Sequence, residues 1–98
     1  MAILNEENIR KGLKSLQKWN LVQGEIVREA AFKDFVGAMI FVNQVAEKAE
    51  AAGHHPDIDI RYNKVRLALV SHDAGGLTKR DFDLAASIEK ILSSNVKP

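Results

Sequence analysis

The 98-residue sequence contains no cysteine, two prolines and a net charge of only +1. Without cysteine the chain has no disulfide framework, no thiolate nucleophile and no cysteine-ligated zinc site. The net charge is close to zero, so the sequence lacks the excess of basic residues that is typical of proteins binding nucleic acid or a membrane surface. The longest strongly apolar stretch, FVGAMIFV, is far shorter than the ~20 residues that cross a bilayer. No basic segment precedes an apolar run near the N-terminus, so we expect a cytoplasmic protein without a secretory signal.

Length and composition predict a single domain over residues 1–98. Single-core domains commonly contain ~100–150 residues, and 46% apolar with 28% charged residues is ordinary for a globular protein. A chain of this size buries roughly 60–65% of its unfolded surface, which leaves a modest core. Association would add buried surface, so we expect a homodimer or a homotetramer.

Hydrophobic periodicity in the first half of the chain predicts a helix, a hairpin and a second helix. Asn5 followed by two glutamates is typical of a helix start, and the apolar spacing predicts that this helix ends near Lys18. The stretches WNLV and EIVREAAF flank a glutamine–glycine turn, which favours a β-hairpin. Asp34 can cap a second helix over residues 35–52, which Gly53 ends. This helix is apolar over much of its circumference, which indicates deep burial or contact with another subunit.

Alternating apolar and polar residues predict a second hairpin, with a two-residue turn at Tyr62-Asn63 in which Asn63 tolerates a positive φ. This turn pairs 61 with 64, 60 with 65, 59 with 66 and 58 with 67. Apolar residues then face one another, and Asp59 lies opposite Arg66 as a favourable cross-strand pair. Extended outward, the same register places residues 53 and 54 opposite 72 and 71.

A glycine loop and a third helix complete the predicted architecture. Thr78 and Asp81 form a T-x-x-D arrangement, which is a relative of the capping box at a helix start. The sequence therefore predicts an α+β fold, α-β-β-α-β-β-α, in which three helices pack on one face of a four-stranded antiparallel sheet.

All three histidines of the chain, His54, His55 and His72, lie in one short segment. The extended register brings them to the open end of one hairpin, where imidazoles can share a ligand. General acid–base chemistry suits them best, because an unperturbed pKa of ~6.5 lets one imidazole donate a proton while another accepts one at cellular pH. The alternative is that they are solvated side chains without a catalytic role.

Two other kinds of site fit the histidine segment less well. A metal site would need the nearby carboxylates Asp57, Asp59 and Asp73, and no recognised ligand spacing is present, so we expect no metal. A serine nucleophile is disfavoured, because Ser71 and His72 are neighbours on a strand and point to opposite faces.

The spacing within this segment is specific. Glu50 is followed by three residues and then His54-His55-Pro56, with five residues to Tyr62, nine to His72 and eight to Asp81. In this pattern the chain resembles the pterin-4a-carbinolamine dehydratase family, also called 4a-hydroxytetrahydrobiopterin dehydratases. The resemblance extends through WN, FKDF, YNKV and GLTKRD, so it covers most of the chain and is weakest in the first helix.

The resemblance implies the predicted fold and a hydro-lyase activity. Family members dehydrate 4a-hydroxytetrahydropterin to quinonoid dihydropterin, which recycles the cofactor after aromatic amino acid hydroxylation. The pterin would be the substrate, with no further cofactor, and the protein would be linked functionally to an aromatic amino acid hydroxylase. Some relatives are also dimerisation cofactors of a homeodomain transcription activator. The alternative function is therefore a protein-binding coactivator module with little or no turnover, acting through the exposed face of the second helix.

The resemblance also implies which residues form the site. The three histidines would be the catalytic acid–base groups. Gly53 stands where some members have an acid, which would lower the activity or shift that role to Glu50. Alternatives stay open for Asp81 as a helix cap, Trp19 as core packing and Arg80 as a solvated helix residue. The residues implied to bind substrate are Glu50, Gly53, Pro56, Ser71, Asp73, Trp19, Arg80 and Asp81.

Overall fold

The structure is a computed structural model that describes residues 2–94. The strands form one antiparallel sheet in the order β1-β2-β4-β3. The predicted α+β architecture, three helices and a four-stranded antiparallel sheet, is confirmed. Within the described residues, no helix combines the length and apolar character needed to cross a membrane. The elements are α1 Glu6–Lys14, β1 Trp19–Val22, β2 Glu25–Ala31, α2 Phe35–Ala52, β3 Asp57–Arg61, β4 Lys64–Leu69 and α3 Lys79–Ser94.

The two central strands, β2 and β4, supply the sheet's share of the hydrophobic core. Ile26 lies opposite Leu69 in the β2–β4 ladder, and both side chains are fully buried. The helices contribute apolar residues at helical spacing, Phe41 and Val45 from α2 and Ile88 from α3. Side chains alternate between the two faces of a strand, so the opposite face of this sheet carries the charged cross-strand residues.

The β3–β4 hairpin has the predicted register, including Asp59 opposite Arg66. The prediction about its turn was wrong in one respect, because the positive φ falls on Tyr62 (53°) and not on Asn63. Asn63 is held by Phe32, whose carbonyl accepts from the Asn63 side-chain amide at 2.7 Å and whose N–H donates to the Asn63 carbonyl at 2.9 Å. These two bonds restrain Asn63, and Tyr62 is the residue of the turn in the left-handed conformation.

The first helix is shorter than its apolar spacing indicated, because α1 ends at Lys14 and not near Lys18. The Ser15 hydroxyl donates to the Gly12 carbonyl, and the Leu16 and Trp19 N–H groups make turn hydrogen bonds. Leu16 is buried in the core. After Lys14 the chain leaves the helical path, and Leu16 and Trp19 join the hydrophobic core.

The outward extension of the β3–β4 register was also wrong. The ladder ends at the pair of Asp57 and Ala68, so 54 does not pair with 71. Pro56 has no N–H with which to continue a ladder, and Ser71 instead forms an isolated bridge with Gly76. The end of the hairpin is therefore a site at which two loops meet α3.

Candidate active site

The end of α2 directs His54 into the protein. Gly53 takes the left-handed conformation (φ 62°, ψ 32°) as the helix cap, which a residue with a Cβ adopts only at a cost. The His54 N–H then donates to the Ala49 carbonyl at 3.1 Å, and Pro56 prevents the helix from resuming. As a result the His54 side chain is buried, with 7% of the residue exposed.

Asp81 holds His54 from the first turn of α3. His54 Nε2 lies 2.5 Å from Asp81 Oδ1, and Asp81 is fully buried. The other carboxylate oxygen, Oδ2, accepts from the Thr78 N–H and from the Ser71 hydroxyl, both at 2.9 Å. Asp81 is therefore a helix cap, as T-x-x-D spacing predicts, and also the partner of His54. With a carboxylate as acceptor, Nε2 carries the hydrogen and Nδ1 is the nitrogen left for other chemistry.

His54 and Arg80 line a cavity of about 230 Å³ at the junction of α2 and α3. Arg80 Nη2 donates to Asp73 Oδ1 at 2.6 Å, and this hydrogen bond holds the pKa of the Asp73 carboxyl below its usual value. Arg80 Nε is buried and, within residues 2–94, has no hydrogen-bond partner. A buried donor without a partner costs free energy, so Arg80 is held at this position at a cost to the stability of the fold.

The other two histidines are exposed. His55 Nε2 lies 2.5 Å from Glu50 Oε2, which belongs to the last turn of α2. His72 follows Ser71 in a loop that the Ser71–Gly76 bridge closes. In the described part of the chain, no hydrogen bond joins any two of the three imidazoles. The structure brings His54 together with Asp81 and Ser71, and it places His55 with Glu50.

Trp19 lies in the hydrophobic core at 3% exposure, on the edge strand β1. Its indole N–H donates to Glu89 Oε2 at 2.9 Å, and Arg28 Nε donates to the same oxygen at 2.7 Å. The histidine pair precedes β3, which is the opposite edge of the sheet. Trp19 therefore lies at the other edge of the sheet from the histidine pair, and no hydrogen bond in the described part of the chain joins it to a histidine.

Sequence reasoning overlooked two polar residues. Glu89 looks like an ordinary helix acid, and nothing in the sequence signals its two donors, the buried Trp19 and the partly buried Arg28. Thr78 was predicted only as a cap, but its hydroxyl lies 2.8 Å from Ser71 Oγ in a fully buried position. The T-x-x-D spacing was the available signal for Thr78, whereas its contact with Ser71 depends on the tertiary fold.

A larger concavity of about 590 Å³ lies on the open face of the sheet, and it contains no histidine. Its charged lining residues include Glu29, Asp59 and Arg66, which occupy paired positions on three strands. These groups can neutralise one another across the sheet. Among residues 2–94, no group of three or more histidine, aspartate or glutamate side chains is arranged to hold a metal ion. We therefore place the candidate active site at the smaller cavity, where a buried histidine is oriented by a carboxylate.

Comparison with known proteins gives the same family as the spacing of these residues. The family model described as pterin 4 alpha carbinolamine dehydratase matches residues 2–91. The chain belongs to this family. A relative from Acidobacterium capsulatum is 68% identical over 94% of this chain and 100% of its own length, and one from Chloroflexus aurantiacus is 55% identical over 94% and 99%. Both carry provisional pterin-4-alpha-carbinolamine dehydratase names.

A solved structure agrees with the family assignment. A crystal structure from Brucella melitensis, described as a transcriptional coactivator/pterin dehydratase, superposes with a TM-score of 0.88 at 34% identity. That match covers 92% of this chain and 98% of the other. A pterin dehydratase-like protein, described as a RuBisCO assembly factor in the alpha-carboxysome, has a TM-score of 0.61 at 19% identity, over 74% of this chain and 84% of its own. At that identity the second match shows the shared fold alone.

Proposed function

We propose that this protein dehydrates a 4a-hydroxytetrahydropterin to quinonoid dihydropterin and water by histidine general acid–base catalysis. The observation that carries the proposal is the buried His54, which Asp81 holds through Nε2 beside a cavity. Membership of the pterin carbinolamine dehydratase family supports the substrate class. The pterin is the substrate in this proposal, and the reaction calls for no additional cofactor.

The reaction breaks the C4a–O bond, delivers one proton to the departing hydroxyl and removes one proton from N5. His54 suits the second task, because a histidine whose Nε2–H donates to a carboxylate presents the lone pair of Nδ1 as a base. His55 and His72 are exposed, so they can exchange protons with water and suit delivery to the hydroxyl. No metal or covalent intermediate is needed for these two proton transfers.

Substrate binding in this proposal centres on Arg80. Its guanidinium is fixed by Asp73, and Arg80 lines the cavity, where its charge suits an acceptor on the pterin ring. Glu50 would orient His55 through the contact at 2.5 Å. Gly53, Pro56 and Ser71 do not line the cavity, so in this proposal they act by holding the neighbouring histidines in place.

A stopped-flow dehydration assay tests the proposal with four proteins. The wild-type chain should accelerate loss of water from 4a-hydroxytetrahydropterin, and His54→Ala and His72→Ala should each lower kcat by about 10²- to 10⁴-fold, the usual contribution of one acid or base. Lys11→Ala is the matched surface control, since Lys11 belongs to an exposed α1 pair with Glu7. A wild-type chain that leaves the uncatalysed rate unchanged would overturn the proposal.

The exposed face of α2 favours a second role as a protein contact. Phe35, Val36 and Ile40 are 49%, 64% and 54% exposed, and large apolar side chains clustered on a surface mark interaction sites. We propose that this face joins copies of the chain into a homodimer or homotetramer, with a coactivator-type partner as the alternative. Light scattering after gel filtration should show Ile40→Glu as a smaller species than wild type. A stable complex with another protein, without dehydration, would favour the binding module.

The dehydratase role also implies where the substrate comes from. A 4a-hydroxytetrahydropterin arises when a tetrahydropterin-dependent monooxygenase transfers one oxygen atom, so we propose a functional link to an aromatic amino acid hydroxylase. Both proteins would then act in the cytoplasm. Accumulation of 4a-hydroxytetrahydropterin in a coupled hydroxylase reaction should fall when this protein is added, and unchanged accumulation would argue against the link.

A further inference from the structure

The buried network around Asp81 contains a residue with no role in the chemistry above, Thr78. Thr78 Oγ1 lies 2.8 Å from Ser71 Oγ, and the Thr78 N–H donates to Asp81 Oδ2 at 2.9 Å. Thr78, Ser71 and Asp81 are each 0% exposed. Thr78 therefore contacts both Ser71, which precedes His72, and Asp81, which holds His54.

The hydrogens of this network can be assigned by elimination. Ser71 Oγ donates to Asp81 Oδ2 at 2.9 Å, which uses the single hydrogen of the serine hydroxyl. In the contact between the two hydroxyls, Thr78 is then the donor and Ser71 the acceptor. A directional chain follows: Thr78 donates to Ser71, Ser71 donates to Asp81, and Asp81 accepts from His54 on its other oxygen. Hydrogen bonds in such a chain polarise and strengthen one another.

Ser71 also begins the loop that carries His72. Its carbonyl accepts from the Gly75 N–H at 2.9 Å, and its own N–H donates to the Gly76 carbonyl at 3.1 Å. A displacement of Ser71 would therefore move the loop of His72 as well as the support of Asp81. The Thr78 hydroxyl contacts the Ser71 side chain and so contributes to its placement.

We propose that Thr78 is a positioning residue that sets the geometry of His54, through Asp81, and of the His72 loop, through Ser71. The kinetic part of this inference rests on the proposed dehydratase function. Thr78 also caps α3, since its hydroxyl accepts from the Arg80 N–H at 3.3 Å. A test must therefore separate positioning from the general loss of a helix cap.

The experiment compares Thr78→Val, which keeps the shape without the hydroxyl, with Thr78→Ser, which keeps the hydroxyl. Thr78→Val should lower kcat about 10-fold with little change in KM, because displaced catalytic groups act on the transition state more than on binding. Thr78→Ser should restore kcat to within about 3-fold of wild type. Asp34→Ala is the matched control, because it removes the cap of α2, where Asp34 accepts from the Gly37 N–H.

A double mutant gives the sharper kinetic result. If Thr78 acts on His54 through Asp81, adding Thr78→Val to Asp81→Asn should lower kcat by less than the full loss of about 10-fold, because only the part that passes through the His72 loop remains. If the two losses multiply, Thr78 does not act through Asp81 and the proposal fails. A fall in kcat for Asp34→Ala equal to that for Thr78→Val would likewise overturn it.

A spectroscopic readout keeps the test independent of turnover. The His54 Nε2 proton should give a downfield NMR resonance in the wild-type chain, since it is held by a buried carboxylate. This resonance should shift upfield or broaden in Thr78→Val and return in Thr78→Ser. An unchanged resonance in Thr78→Val contradicts the proposal. A wild-type chain without dehydration would contradict the proposed function, while this resonance would still decide the role of Thr78.

Discussion

Replacing Asp81 by asparagine should invert the tautomer of His54. The Thr78 backbone N–H can only donate, so the oxygen of the new amide must stay at the position of Oδ2, where it accepts from Thr78 and Ser71. The amide nitrogen then faces His54 Nε2, which must offer a lone pair. The imidazole proton moves to Nδ1, and that nitrogen ceases to be a base.

The Asp81→Asn substitution should lower both the stability of the fold and the rate of turnover. The opposite amide orientation would face its NH₂ group toward the Thr78 N–H, and a buried unpaired donor costs about 1–3 kcal/mol. The orientation with the amide oxygen at the position of Oδ2 keeps every contact of Asp81. It replaces charge-assisted hydrogen bonds by neutral ones, so the free energy of unfolding should fall by about 1–2 kcal/mol. Turnover should fall about 10²- to 10⁴-fold, because a histidine held in the wrong tautomer loses its function as a base.

Two measurements check this prediction. Nitrogen-15 NMR of the imidazole should show the His54 hydrogen on Nε2 in wild type and on Nδ1 in Asp81→Asn, and stopped-flow dehydration should give the loss of kcat. Asp34→Asn is the control, since it makes the same chemical change at the start of α2, where Asp34 also accepts a backbone N–H. If Asp81→Asn keeps the hydrogen on Nε2, or turns over within about 3-fold of wild type, then Asp81 does not orient His54.

Two further predictions concern pH dependence and packing. Asp73 has its pKa lowered by the hydrogen bond from Arg80, so this ion pair stabilises the fold above the ordinary carboxyl pKa and loses its effect as the pH falls through the lowered value. Arg80→Ala should therefore raise the Asp73 pKa in a carboxyl NMR titration, and an unchanged value would contradict the assignment. Gly12→Ala would bring a Cβ to 2.6 Å from Phe82 Cε1, and the resulting overpacking should lower the urea-derived free energy of unfolding by about 1 kcal/mol. Phe82→Leu in the same chain should relieve that loss, whereas a gain in stability for Gly12→Ala alone would show that the ring moves aside freely.

Local features of the sequence predicted most of the fold. Asn5 and Asp34 cap their helices through side-chain oxygens as expected, because capping involves residues only three positions apart. The register of the β3–β4 hairpin was likewise predictable, since one slip would place apolar residues on the solvent side. The family assignment depended on the spacing around the histidines, which is also a local property.

The tertiary structure decided how these residues form a site. Strand pairing could not be extended past Pro56 to bring residue 54 to residue 71, and the two segments meet instead through Asp81, which arrives on α3. Side-chain orientation and burial depend on elements far apart in the chain, so no spacing rule showed that Thr78 would face Ser71. The periodicity and spacing of residues were therefore enough to predict the helices, the strands and the family, because both are patterns within short stretches of the chain. Only the packing of α3 against the hairpin end determined which histidine is buried and which nitrogen of its ring is held.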